Sequence, residues 1–214
     1  MKSSESSKTK ASKADDYVGQ QRAVDTRLSI LMHASRIFSA KGYDNCSTRE
    51  IANAAGVSHA NIRYHFGDKQ ALWLKVINYL IADAYKGRKL IAEIQSGTSP
   101  MQNFWQHTRN VISYYVYHPE LPRIILFETM RNSERLEMIE SAMSEVYEQR
   151  AESIEIMQKA GLVKQIDPRL LNEFVDGALN SIFIASKEID RSNKKKLEAT
   201  IDQYADFIVE LVRK

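Results

Sequence analysis

Apolar residues recur three and four apart along almost the whole chain, and the intervals between runs carry helix start and stop signals. From Arg22 to Lys41, Leu31, Ala34 and Phe38 share one face, with Ile30 and Ile37 beside them, and Gly42 follows as a stop. Ser47 and Glu50 stand three apart ahead of Ile51, Ala54 and Ala55, the spacing in which each side chain bonds the other residue's backbone N–H. This short helix is expected to end at Gly56, because glycine reaches left-handed backbone without a steric penalty. Ser58 then caps a second short helix, in which Ile62 and Phe66 share a face and His59, Ala60, Asn61, Arg63 and Tyr64 turn outward. Asp68 caps a fourth, continued by Trp73, Val76, Ile77, Leu80, Ile81 and Ala84, with Gly87 expected to bend it.

The same period predicts helices from Met101 to Tyr117, up to Met130 after the break at His118 to Pro122, and from Ser133 to Ala160. Asp167 and Pro168 open another that runs to about Ile189, and a last one spans Asn193 to Val212. Gly177, Ser181 and Ala185 lie four apart, a small-residue stripe that lets another helix approach closely. The last helix sets Leu197, Ile201, Tyr204, Ile208 and Leu211 in an apolar seam. These two helices are expected to form a dimer interface, with an intrachain contact as the alternative.

Composition fits this all-α reading, since 8 Gly and 4 Pro leave little turn chemistry for many short strands. Residues 1–21, rich in Ser and Lys, read as a disordered tail, residues 22–81 as one domain and 82–214 as a second. No apolar run is long enough to span a bilayer and no secretory signal is evident, so the cytosol is the expected compartment. The lone Cys46 excludes an intramolecular disulfide and a multi-thiolate metal site. Residues 22–81 carry eight Lys and Arg against four Asp and Glu, whereas residues 82–214 carry 18 against 20. The positive charge therefore sits where phosphate neutralisation would use it.

Two short helices joined by a glycine turn, the second displaying polar side chains, suit a helix-turn-helix that places a helix in the DNA major groove. Thr48, Ser58, Tyr64 and Lys69 are the candidate phosphate contacts, with helix capping as the other use of the two hydroxyls and packing as that of Tyr64. His59, Asn61 and Arg63 are the candidate base readers, Asn suiting adenine and Arg guanine, with plain solvent exposure as the alternative. His65 is expected to brace the fold or a phosphate.

The pattern Ala34, Phe38, Gly42, Thr48-Arg49-Glu50-Ile51-Ala52, Ala55-Gly56-Val57-Ser58, His65-Phe66, Lys69 and Leu72 resembles the N-terminal domain of the TetR/AcrR family of bacterial transcriptional regulators. The likeness runs from about Arg27 to Val76. It departs at Arg63, where many members have Tyr, and at Ala60, where many have Gly. The resemblance implies an N-terminal three-helix helix-turn-helix DNA-binding domain and a C-terminal helical ligand-binding and dimerisation domain. It implies a repressor that binds a palindromic operator in double-stranded DNA as a homodimer and is released by a small-molecule effector.

Trp105, Tyr114, Tyr115, Phe127, Met130, Met143, Tyr147 and Phe174 are candidates to line an apolar effector cavity, with His107 or Arg109 as its polar anchor, and ordinary core packing as the alternative. No cofactor, metal or membrane partner is expected. Catalysis has little support: His59 and His65 do not share a helical face, and no metal-protease spacing or glycine-rich phosphate loop is present. An effector-independent DNA-binding or architectural protein is the first rival reading, and an all-helical enzyme the second.

Overall fold

The computed structural model describes the backbone of residues 4–85, 99–185 and 192–214, and the side chains of residues 21–85, 99–179 and 192–214. The expected bend at Gly87, the helix end near Ile189 and the side chains of Ser181 and Ala185 lie outside the described residues. Among the described residues the fold is all-α, with no strand beyond one isolated bridge. The chain divides into two compact units, Met1–Val76 and Ile77–Lys214.

The first unit holds α1 (Ser4–Lys41), α2 (Thr48–Ala54), α3 (His59–Phe66) and the opening turns of α4 (Lys69–Ala84). Where composition predicts a disordered tail, α1 runs back to Ser4: the stretch has no proline and no glycine before Gly19, so nothing in it breaks a helix once one has formed downstream. Ile30, Ala34 and Phe38 of α1 are buried with Ile51, Ile62, Leu72 and Trp73. Gly42 ends α1 at φ 74°, its N–H donating to the Phe38 carbonyl at 2.8 Å.

The second unit holds α5 (Pro100–Tyr117), α6 (Glu120–Arg131), α7 (Glu134–Lys159), α8 (Pro168–Ala185) and α9 (Lys194–Val212). Pro122 lies in the first turn of α6, where no intrahelical N–H is needed, so the proline pair opens this helix as it closes the previous one. Asp167 caps α8, accepting from the Arg169 N–H at 2.8 Å, and Asn193 caps α9, accepting from the Lys196 N–H at 3.0 Å. The helix α9 packs chiefly on α5, and α7 on α8. Phe104, Ile154, Met157, Leu171 and Val209 meet in one buried cluster. Lys164 N–H donates to the Val212 carbonyl at 2.9 Å and Lys214 N–H to that of Leu162 at 3.2 Å, which ties the end of α9 to the α7–α8 connection.

A buried carboxylate pins the corner between α6 and α7. Glu128 is 1% exposed and accepts from Ser133 Oγ at 2.6 Å and from Arg135 Nε at 3.0 Å. Glu128→Ala removes both bonds and is expected to cost about 3 kcal/mol, the scale for breaking a buried ion pair. Urea unfolding followed by circular dichroism should show a lower midpoint; an unchanged midpoint would mean that apolar contacts alone hold the corner.

Candidate functional site

The helix α3 is too short to be stable alone, so its position is set by what its ends and inner face touch. Ser47 Oγ accepts from the Glu50 N–H at 3.2 Å, starting α2. The expected return bond from Glu50 is replaced: its carboxylate pairs with Lys41 Nζ at the end of α1. Gly56 takes φ 67°, and the Val57 N–H reaches back to the Ala52 carbonyl at 3.0 Å, closing α2. Ser58 Oγ accepts from the Asn61 N–H at 3.3 Å, opening α3. Ile62 and Phe66 are buried beneath it.

That anchoring decides what the outer face displays. Tyr64 is 84% exposed, which removes packing as its role, and Arg63 is exposed beside it. Asn61 and His65 are half-buried, the His65 ring standing edge-on to Tyr64 with centroids 4.9 Å apart. His59 Nε2 and Thr48 Oγ1 are 2.9 Å apart and hydrogen-bonded, joining the first residues of α3 and α2. One of the expected base readers is thus engaged with one of the expected phosphate contacts. Asp68 accepts from the Ala71 N–H at 2.8 Å and caps α4, while Lys69 in its first turn lies 4.3 Å from the centre of the Tyr43 ring. Lys69 is thereby held at a helix N-terminus, where an anion meets both a cation and free backbone N–H groups. Cys46 is buried, its Sγ donating to the Tyr43 carbonyl; burial pushes the thiol up, and Lys69 only partly offsets this, so no reactive thiolate is available.

The second unit contains a pocket with about 30 Å³ of enclosed space, open to solvent on one side, between α5, α7 and α8. Phe104, Val111, Ile154, Leu171, Val175 and Leu179 give it apolar walls, and Tyr85, His107, Thr108, Arg150 and Asn172 are its polar positions. Arg150 Nη1 donates to Asp176 Oδ1 at 2.8 Å. Burial alone would lower the guanidinium, but Asp176, then Tyr85, outweigh it, and the pKa stands above the ordinary arginine value. Tyr115 beside this pair is pushed well up by burial, then by Tyr85 and Asp176, and Tyr147 is raised by burial and Asp176 against the opposing Arg150.

Of the ten expected effector contacts only His107 lines the pocket; Tyr115 and Tyr147 flank its Arg150–Asp176 pair. Trp105 and Arg109 are instead engaged by acids of α9. Trp105 Nε1 donates to Asp206 at 2.7 Å, Arg109 Nε to Asp202 at 2.6 Å and Arg109 Nη2 to Glu198 at 2.6 Å. The Arg109 bond, then that from Tyr117, holds the Glu198 carboxyl below its usual value. Tyr114 donates to Asp83 at 2.8 Å, Met143 is in the core, Phe127 is half-buried away from the pocket, and Met130 and Phe174 are exposed.

The expected dimer seam also divides. Leu197, Ile201 and Ile208 are buried within the single chain, so they have no surface left to give a second copy; Tyr204 and Leu211 are half-buried and Gly177 is exposed.

A family profile described as bacterial regulatory proteins, tetR family, matches residues 30–76, the segment from the core of α1 to the second turn of α4. Over this segment the chain is similar to the DNA-binding domain of the TetR family. The probable HTH-type transcriptional regulator YttP of Bacillus subtilis is 29% identical over 130 residues, 58% of this chain and 61% of that protein. The HTH-type transcriptional repressor NicS of Pseudomonas putida is 29% identical over 114 residues, 53% of this chain and 52% of that protein. The chain thus spans little more than half the length of these relatives. For the fold, the crystal structure of AibR in complex with isovaleryl coenzyme A and operator DNA superposes with a TM-score of 0.67, at 19% identity, over 88% of this chain and 98% of that one.

Sequence reasoning missed Tyr43, on whose ring Lys69 rests, and every pocket residue except His107. Arg150 and Asn172 gave no signal, because an arginine in an acid-rich helix and an asparagine after a leucine pair read as solvent-facing until α7 and α8 are set together.

A Cβ at Gly56 would meet no atom within 4 Å, so the requirement there is conformational alone. Gly56→Ala is expected to destabilise the first unit by about 1 to 2 kcal/mol, the cost of left-handed backbone for an L-residue. Calorimetry should show the lower Tm; an unchanged value would mean that the turn relaxes out of the left-handed region.

Proposed function

We propose that this protein is a DNA-binding transcriptional regulator, a repressor that meets a palindromic operator as a homodimer and is released by a small-molecule effector. The observation that carries the reading is α3, whose two apolar residues are buried while Arg63 and Tyr64 stand fully outward on a capped, glycine-hinged helix pair. Such a helix supplies a guanidinium and an aromatic hydroxyl at groove depth, with Lys69 held for the phosphate backbone beside it. NicS is named a repressor, and AibR was solved with both a ligand and operator DNA, which supports the same division of labour between two domains here. The relatives are regulators and not enzymes. No helix among the described residues is long and apolar enough to cross a membrane, and action on DNA places the protein in the cytoplasm.

In this reading Arg63 and Asn61 read bases, Tyr64, Ser58 and Lys69 position the phosphates, and His65 braces Tyr64. Thr48 and His59 act as a pair that fixes the angle between α2 and α3. The effector occupies the α5–α7–α8 pocket. The helix α4 belongs to both units, so a change of its direction in the second alters where the first can place α3. An effector that binds better to the conformer unable to span successive grooves, about 34 Å apart, releases the DNA. The second copy docks on the apolar side chains left exposed on α8 and α9, namely Leu170, Phe174 and Phe207, with Gly177 allowing close approach.

Gel shift against DNA flanking the protein's own gene, and against selected sequences, should reveal salt-sensitive and sequence-selective binding; its absence throughout would end the regulator reading. Arg63→Ala should relax selectivity at one base pair, worth about 1 to 3 kcal/mol, whereas Lys69→Ala should weaken all sequences alike and reduce the salt slope by about 1. Phe174→Glu should convert the dimer to a monomer in light scattering and cost operator affinity; a variant that stays dimeric would move the interface elsewhere.

A further inference from the structure

The pocket of the second unit carries a pattern of charge that narrows what can fill it. Among its described lining residues no carboxylate appears, and the one full charge on the wall is Arg150. Its guanidinium has five N–H donors, of which Nη1 alone is hydrogen-bonded among the described residues, to Asp176. Asp176 is not itself a wall residue, so the pair presents its cationic side to the cavity.

Asn172 supplies the second observation. It lies one helical turn before Asp176 on α8, and therefore on the same face, about 5 to 6 Å along from the carboxylate that holds Arg150. Asn172 is 6% exposed and lines the pocket, yet its side-chain amide has no hydrogen-bond partner among the described residues. Among the described residues only Trp73 Nε1 is a closed-off polar atom without a partner, so the Asn172 amide stands open to the cavity and can bond what enters it. Thr108, by contrast, already donates its hydroxyl to the Phe104 carbonyl at 2.9 Å. The remaining walls, from Phe104 to Leu179, are largely apolar.

We propose that the effector is a small organic acid with an apolar body, its carboxylate taken by the unused N–H donors of Arg150 and by the Asn172 amide. The inference rests on the reading of this pocket as the effector site. A planar carboxylate matches the guanidinium fork, and a charge-assisted bond to it outweighs the neutral bond that an amide or alcohol would make. A cationic ligand would face Arg150 without an acid on the wall to receive it. The apolar body accounts for Phe104, Val111, Ile154, Leu171, Val175 and Leu179, which offer it burial.

Calorimetric titration of the full chain with hexanoate, octanoate and 4-phenylbutyrate, each beside its primary amide, tests the class directly and without DNA. At least one acid should bind saturably with one site per chain and about ten-fold or more tighter than its amide, roughly 1.4 kcal/mol in binding free energy. Asn172→Leu should leave the ligand-free protein folded, because the amide holds no other residue in place, while weakening that acid about five-fold or more. Arg150→Met alone leaves Asp176 without its partner, so the double variant Arg150→Met with Asp176→Leu serves as the second probe. It should fold, by circular dichroism, and lose the preference for acid over amide. Binding by none of the acids, amides as tight as their acids, or a folded double variant that keeps the preference would each overturn the proposal. A parallel gel shift separates the two readings. Acid binding that leaves a selective protein–DNA complex intact supports the acid site and counts against its being the effector site. Selective DNA binding with no acid bound sinks the acid proposal and leaves the regulator standing.

Discussion

Ile62 and Phe66 have to be buried for Arg63 and Tyr64 to be displayed, and that trade on a single eight-residue helix governs the whole first unit. A helix of two turns contributes almost no stability of its own, so each of its outward residues is aimed by inward contacts and by hydrogen bonds at its ends. The Ser58 cap sets where α3 begins, the left-handed Gly56 sets the direction from which the chain arrives, and the Thr48–His59 bond ties the starts of the two short helices. Lys69 belongs to the same arrangement, because Asp68 caps the next helix while the lysine ammonium lies over the ring of Tyr43. The backbone that carries the displayed residues is thereby fixed, which suits the proposed contact with a rigid duplex.

The helices and their boundaries were mostly legible because the signals are local. A Ser or Asp before an apolar run, a glycine after it and a proline in a first turn each act within four residues, and the caps at Ser47, Ser58, Asp68 and Asp167 all form. What was not legible is which helix a given face meets. Glu50 has the spacing to close a capping box, but Lys41, nine residues back, is brought beside it by the Gly42 turn and takes its carboxylate. Phe174 and Met130 read as cavity aromatics and thioethers on spacing alone, and they are exposed because no helix among the described residues covers them.

The second unit shows the same limit in its charges. Trp105 and Arg109 are four apart on α5, and Glu198, Asp202 and Asp206 are four apart on α9. Either row alone looks like an amphipathic helix edge. Set antiparallel, the rows meet in register, Trp105 with Asp206 and Arg109 with Asp202 and Glu198, which makes them a seam between helices and removes them from the cavity. Arg150 has the opposite history: it sits among the glutamates of α7 and looks like one more solvated charge, yet packing of α8 draws it inward to Asp176. The residues with most to offer a ligand are thus those whose neighbours in sequence say least about them.

The two tryptophans fall one to each unit, and their surroundings differ in kind. Trp73 is wholly buried, with Tyr43 edge-on to its ring and no acceptor for its Nε1 among the described residues, whereas Trp105 is half-buried and donates to the Asp206 carboxylate. An indole in an apolar pocket emits at shorter wavelength than one beside water and charge. The chain therefore carries a built-in pair of colours, blue-shifted emission from the first unit and red-shifted emission from the second, so that light alone can tell which of the two responds first.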